Sequence, residues 1–471
     1  LSAARQAHIA FMRFGLGPKA DSVAELAATD GAAYRACLAE VQNPAAVLIP
    51  DAQVTTFSSA ANANVVLDYA TVCRSAQVSF DPAVKPKAGD VLMAEMGARY
   101  VKATEPKVGF AERLVWFWSN HFSLNQAKSG WVCATVGQFE RSVIRRNVFG
   151  KFSDMLKAVY QHPAMVTYLD NQYSTGPNST IGKTPWAKAQ KLSYNENLGR
   201  EILELHTLGA YGGYTQDDVI GLSKVLTGWS IYTDPKNMAQ FGQFRFDPNR
   251  HEPGPQTILG LTYSQPDITQ GLAVFDALAA HPSTAQHIAF KLIKHFITDE
   301  PSPWAVRRLA GVFSRTGGDL QAVSRALLDV RGAWDPKVDR IIQPQQWQVS
   351  VLRGLGFGRD SIMAKTTGLG SNAYWFSQPI WGRLTPDGYP DDDYYWENTD
   401  FVRGRKEYAF GMVYWALAGD KMTINPEALA AALMPTRSQA LVDAMAALKA
   451  QKFYDIERLA MLFSSPEYML R

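Results

Sequence analysis

Glu201, Glu204 and His206 are the side chains whose type and spacing best suit chemistry, and that chemistry is acid–base. They fall in a segment, 194–208, whose apolar residues recur with a helical period. At about 100° per residue, Glu196, Asn197, Arg200, Glu201 and Glu204 share one arc, while Leu198, Ile202, Leu203 and Leu205 cover the other. Glu201 lies at the boundary, and His206 falls inside the apolar arc. A carboxyl group held against leucines is desolvated and keeps its proton to higher pH, as a general acid requires. Each residue also has an ordinary structural reading. Glu204 pairs with Arg200 one turn earlier, worth about 0.3 kcal/mol, and His206 is a core histidine with one satisfied nitrogen. Glu196 is spent on a reciprocal cap with Ser193, and Glu201 forms a buried pair that positions another helix.

Two further segments carry candidate ligand contacts. In Trp116-Phe117-Trp118-Ser119-Asn120-His121-Phe122, Trp118 offers an aromatic wall and Asn120 with His121 a polar pair. A helix C-terminus favours the protonated form of His121. The alternative is a packed aromatic helix end. In 246–254, Pro248 and Pro253 restrain a tip carrying His251 and Glu252. Adjacent side chains point apart, so these two do not ligate one metal. We expect His251 to face a cleft also lined by the end of 116–122. Arg200 and Trp229 complete the candidate substrate-binding set of Trp118, Asn120, His121, Arg200, Trp229 and His251. There is no HExxH, P-loop, strand-borne GxGxxG or GxSxG elbow, and no motif names a cofactor.

The elements that must position these residues are mostly helices. Helical periodicity covers 105–122, with Pro106 at its start, and 153–160, 194–208, 216–226, 284–297, 303–314, 401–417 and 438–451. Thr215 with Asp218 reads as a capping box, and Gly209 as a left-handed helix stop. Strands are few. The best pair, 241–246 and 257–263, predicts a β-hairpin near 241–263 with a long tip. Long loops are expected at 171–191 and 377–398, the second packing on the body through Trp381, Tyr389 and Trp396. No repeat period is visible. The expectation is a mainly α, large multi-helix globular fold over 1–471, a single domain with a small β-hairpin insertion.

Composition excludes several classes. Over 471 residues, 46% hydrophobic and 19% charged is an ordinary globular balance, so extensive disorder is not expected. The net charge is +3, and the densest basic cluster, Arg141, Arg145 and Arg146, fits the exposed face of a helix. Nucleic-acid binding is therefore not expected. Cys37, Cys73 and Cys133 leave at least one free thiol and form no CxxC pair, and a disulfide among them is not assignable. No apolar run reaches about 18 residues, so no transmembrane helix is expected. The start at Leu1 reads as a trace of a removed segment.

These segments carry a family resemblance. His8 through Phe14-Gly15-Leu16-Gly17-Pro18, Phe117 to Phe122, and Asn195-Glu196-Asn197-Leu198-Gly199-Arg200-Glu201 through Leu208-Gly209 occur in order. Gly213 to Val219, Thr227-Gly228-Trp229, Phe246 to His251, Ile258-Leu259-Gly260, His281 to Ala285, Lys291 to Phe296, Gln378-Pro379, Gly388-Tyr389-Pro390 and Trp396 follow. Together they resemble the bacterial domain-of-unknown-function family 1800. The chain departs from it at Glu252, where Asp is frequent, and in the triple Asp391–Asp393. The resemblance implies an exported protein, periplasmic or secreted, encoded beside a sulfatase/alkaline-phosphatase-like partner; it implies no activity. The first functional reading is a hydrolase or lyase on an extracellular glycan or related polymer, because 12 Trp and 19 Tyr supply sugar-stacking faces and carboxylate pairs cleave glycosidic bonds. The second is a metal-dependent enzyme using His121, His206 or His251 with Glu201 or Glu204. The third is a non-catalytic scaffold or maturation partner of the exported enzyme.

Overall fold

Helix Phe110–His121 runs through the core, with every residue but Asn120 buried. A helix this apolar on all faces has to be surrounded. Its start is not the one Pro106 suggests. Gly109 takes φ +98°, and the Glu40 carboxylate accepts from the amides of Val108, Gly109 and Ala111. An acidic side chain at a helix N-terminus satisfies its orphan amides and its dipole, so a residue 69 positions from Gly109 sets the boundary. Pro106 lies in the preceding turn.

The computed structural model describes residues 1–50, 54, 72, 87–234, 236–237, 240–337, 340–375, 377–397 and 399–471. The protein is 60% helical and 4% strand, as the periodicity predicts. Helices Phe152–Tyr160, Pro282–Phe296, Pro303–Arg315 and Gln439–Ala450 lie within two residues of their expected bounds. No helix among the described residues is long and apolar enough to cross a membrane. Cys37 and Cys133 are free thiols, and Cys73 lies outside the described residues.

The small hairpin is present but pairs differently. Strand β1 (Trp229–Ile231) is antiparallel to β2 (Phe244–Phe246), with Trp229 opposite Phe246. Strand β3 (Gln256–Ile258) folds back on β4 (Leu261–Tyr263) through Leu259 and Gly260. Both turn residues have positive φ, the two-residue turn that matches strand twist. The segment between β2 and β3 is not a hairpin tip. It is bonded to the 171–191 loop through Gly176 N–H to Arg250 O and Ile181 N–H to Asn249 O.

Four π turns interrupt helices among the described residues: Ala10–Phe14, Glu140–Ile144, Ile202–His206 and Trp415–Gly419. The second organises the core. The Arg145 amide donates to Glu140 O, five residues back, which stacks the two side chains. Arg145 Nη2 then reaches Glu140 Oε1 at 2.9 Å and Glu112 Oε1 at 2.6 Å. Arg99 Nε donates to Glu140 Oε2 at 3.0 Å, and Arg141 forks onto Glu95. Arg141 and Arg145 are therefore buried, against the exposed face expected of them, and only Arg146 is exposed. Their partners come from helices Ala88–Thr104 and Phe110–His121, which no local pattern in 141–146 reveals. Burial pushes the Glu140 carboxyl up, but Arg99, Arg145 and hydrogen bonds from Ser119 and Trp381 outweigh it and hold it below the usual range.

Removing one member of such a network strands the others. Glu140→Ala leaves Arg99 without its carboxylate and Arg145 with Glu112 alone, and is expected to cost about 3–5 kcal/mol. Urea unfolding followed by circular dichroism checks this, and a loss near zero contradicts the network's role.

Candidate functional site

The loop 377–397 is a built part of the wall. Trp381 is buried, and its indole N–H donates to Glu140 Oε2 at 3.0 Å. Gln126 N–H donates to Trp381 O, and Asn125 bridges Gly382. Trp396 is buried, with its N–H on Pro390 O, and the Tyr389 hydroxyl donates to Pro379 O. The expected packing through Trp381, Tyr389 and Trp396 is what forms.

Asn120 clips this loop in place. Its Nδ2 donates to Tyr389 O at 2.9 Å, and its Oδ1 accepts from Tyr389 N at 2.7 Å. Gly388 takes φ +81°, and a Cβ there would stand 2.4 Å from Asn120 O, so only glycine permits the clip. The side chain expected to face a ligand thus spends both polar ends on backbone. The result fixes the neighbouring Asp387.

Helix Glu196–Glu201 carries the acidic face and continues as the π turn Ile202–His206. Its cap is Asn195, whose Oδ1 accepts from Leu198 N, not the expected Ser193. Glu196 instead accepts from Gln216 Nε2. Glu204 does not pair with Arg200: it accepts from the Tyr214 hydroxyl at 3.2 Å, while Arg200 is exposed and donates to Gln216. The box of Thr215 with Asp218 and the left-handed Gly209 are as expected.

Glu201 is half-buried at the edge of this face. Burial raises its pKa to about 7, with help from the charges of Glu204 and Asp387. Asp387 moves the other way. Burial pushes it up, but hydrogen bonds from Arg383, at 3.2 and 3.0 Å, and from Thr385 hold it below the usual range. The Tyr160 and Tyr168 phenols are raised, first by burial and then by the Glu201 charge. Two carboxyl groups with opposed proton affinities therefore share one polar surface.

The histidines behind it are neutral. His206 is fully buried, its Nδ1 2.5 Å from the Tyr160 hydroxyl and its Nε2 without a partner. Burial, then Lys291 and His287, lower its pKa to about 3. It is the core histidine of the structural reading and does not exchange a proton near neutrality. His121 meets His206 O at 3.2 Å through Nε2 and Lys291 Nζ at 3.1 Å through Nδ1. Burial, with Lys291 second, drives its pKa far down, so desolvation overrides the helix dipole that was expected to keep it protonated. Lys291 itself is lowered by burial, offset in part by Asp391 and Asp387.

The other expected contacts are structural. Trp118 is core, packed on His121, Phe122 and Phe152. Trp229 is core, against Phe244 and Phe275. His251 is buried, with Nδ1 on Thr227 O at 3.1 Å and its ring on Phe246. It does not line the cavity beside Asn120, contrary to expectation. Glu252 accepts from the amide and side chain of Asn178, which ties down the 171–191 loop. Among the described residues no group of three His, Cys, Asp or Glu could hold a metal ion. The residues that local patterns missed are Asp387, Lys291, and the pair His295–Asp391, whose Nδ1 and Oδ1 are 2.6 Å apart.

A family model described as "Protein of unknown function (DUF1800)" matches residues 9–470. No curated protein and no solved structure matches the chain.

The raised Glu201 pKa has a consequence for stability. A carboxyl group that binds its proton more tightly when folded contributes in full below its unfolded value, near 4.5, and loses that contribution as pH rises through about 7. Glu201→Gln should therefore gain stability relative to the parent as pH rises from 5 to 8, on the order of that shift. Paired denaturant melts across this range check it. A difference independent of pH would mean Glu201 is not desolvated.

Proposed function

Starting from its membership of the DUF1800 family, to which nearly the whole chain belongs, we propose that this protein is a hydrolase or lyase acting on an extracellular glycan or related polymer. Glu201 is the general acid, and Asp387 is its ionised partner. The reading is carried by Glu201, half-buried at the edge of its helix's polar face, and by Asp387, whose charge reaches it and which hydrogen bonds from Arg383 and Thr385 keep ionised. Neighbouring titratable groups with opposed proton affinities mark acid and base assignments. Near neutral pH Glu201 still holds a proton to give to the leaving oxygen, while Asp387 presents the charge that activates water or stabilises a cationic transition state.

The surroundings support a polymer substrate. Tyr173 and Leu384 are exposed on the segments that carry Tyr168 and Asp387, and an apolar or aromatic face packs on the C–H face of a sugar ring. Such substrates lie outside the cytoplasm, so the expected location is periplasmic or extracellular. The metal-dependent alternative has no ligand group of three His, Cys, Asp or Glu among the described residues.

Release of reducing ends from a panel of bacterial polysaccharides tests the proposal. Glu201→Gln and Asp387→Asn should each lower kcat by about 100-fold or more while leaving the fold intact. The parent's kcat/KM should fall on the basic side with a midpoint near 7, and Glu201→Gln should lack that limb. Full activity in Glu201→Gln would end the proposal.

A further inference from the structure

On the other side of the Asn120–Tyr389 clip lies a polar cavity of about 50 Å³. A water needs about 10–15 Å³ of such space, so the cavity holds a few atoms and no sugar ring. Its wall includes Arg99, Arg113, His295 and four glutamines, and no carboxylate. Arg99 has its counter-charge in Glu140. Arg113 has none. It is 2% exposed, and its guanidinium donates to Gly15 O at 3.1 Å and to His295 Nε2 at 2.9 Å. It reaches the charge of Asp391 only through that imidazole, whose Nδ1–H donates to Asp391 Oδ1. A buried cation without a contacting anion is costly.

The rest of the wall is held rigid. Gln343 donates to Asp391 Oδ1, Gln378 to Gln343 Oε1, and Gln345 to Gln378 O while accepting from Arg99. Gln346 donates through Nε2 to Met12 O and Gly15 O, which fixes its amide orientation, and its Oε1 has no hydrogen-bond partner. The cavity thus presents a guanidinium lacking an anion, framed by amide side chains whose orientations are fixed.

We propose that this cavity binds a small oxyanion, a phosphate or carboxylate group. The anionic oxygens meet Arg113. The group arrives either as a free ion or as the acidic substituent of a larger molecule. This assignment does not rest on the catalytic roles of Glu201 and Asp387.

Isothermal titration at constant ionic strength tests it, with inorganic phosphate, lactate, glucuronate and acetate as probes on the parent, Arg113→Lys and Arg113→Gln. At least one of phosphate, lactate and acetate is expected to bind the parent. Arg113→Lys should lose about tenfold in affinity, the loss of one charge-assisted hydrogen bond, and Arg113→Gln should bind nothing. Binding of glucuronate without phosphate or lactate supports the same site with a pendant acidic group as its ligand. Thermal melts of the unliganded variants show that they fold, and Arg113→Lys carries the test if Arg113→Gln does not. Absence of binding by all four probes to the parent overturns the proposal, as does equal affinity in the parent and Arg113→Lys.

Discussion

Glu140 is a carboxylate with almost no water, and the architecture around it exists to keep it ionised. Its oxygens accept from Arg99, Ser119, Trp381 and Arg145. The donors come from helix Ala88–Thr104, helix Phe110–His121, the loop 377–397 and the π turn itself. Three buried carboxylates, Glu95, Glu112 and Glu140, face three buried guanidiniums, Arg99, Arg141 and Arg145. Buried ion pairs add little net stability over apolar packing, but breaking one is expensive. The network therefore acts chiefly to exclude other arrangements of these four segments.

From Glu140 the constraint passes outward. Trp381 fixes the near end of the loop, and Asn120 fixes Tyr389. Between them, Asp387 is brought to the surface where Glu201 emerges, and just beyond Tyr389 the chain brings Asp391 to His295. The loop separates two polar regions: an acidic face with Glu201, Glu204 and Asp387, and a cavity with Arg99 and Arg113. Rigid helices supply one partner in each region and the clipped loop supplies the other, an arrangement suited to holding reacting groups in register.

Helical structure was legible because periodicity is local, and so was the position of Glu201, since a residue at the edge of an apolar arc has only one way to face. The aromatic content of 377–398 sufficed to predict that it packs. What escaped depends on distant partners. The burial of Arg145 follows from Glu112, 33 residues away, and the role of Asn120 from Tyr389, 269 residues away. Desolvation made His121 and His206 neutral, and a helical projection does not measure depth. Ser193 and Pro106 are good terminal signals that lost to Asn195 and to the Glu40 carboxylate. The strand 244–246 found Trp229–Ile231 instead of the later strand, because a two-residue turn closed the later one on itself.

The central claim is that Glu201 keeps its proton close to neutrality beside an ionised Asp387. A carbon-13 NMR titration of the labelled glutamate carboxyl groups, with Glu201 assigned by its loss in Glu201→Gln, measures this directly. The account predicts a midpoint near 7 that moves down in Asp387→Asn, where the neighbouring charge is gone. A midpoint near the ordinary 4.5, unchanged by that substitution, would contradict it.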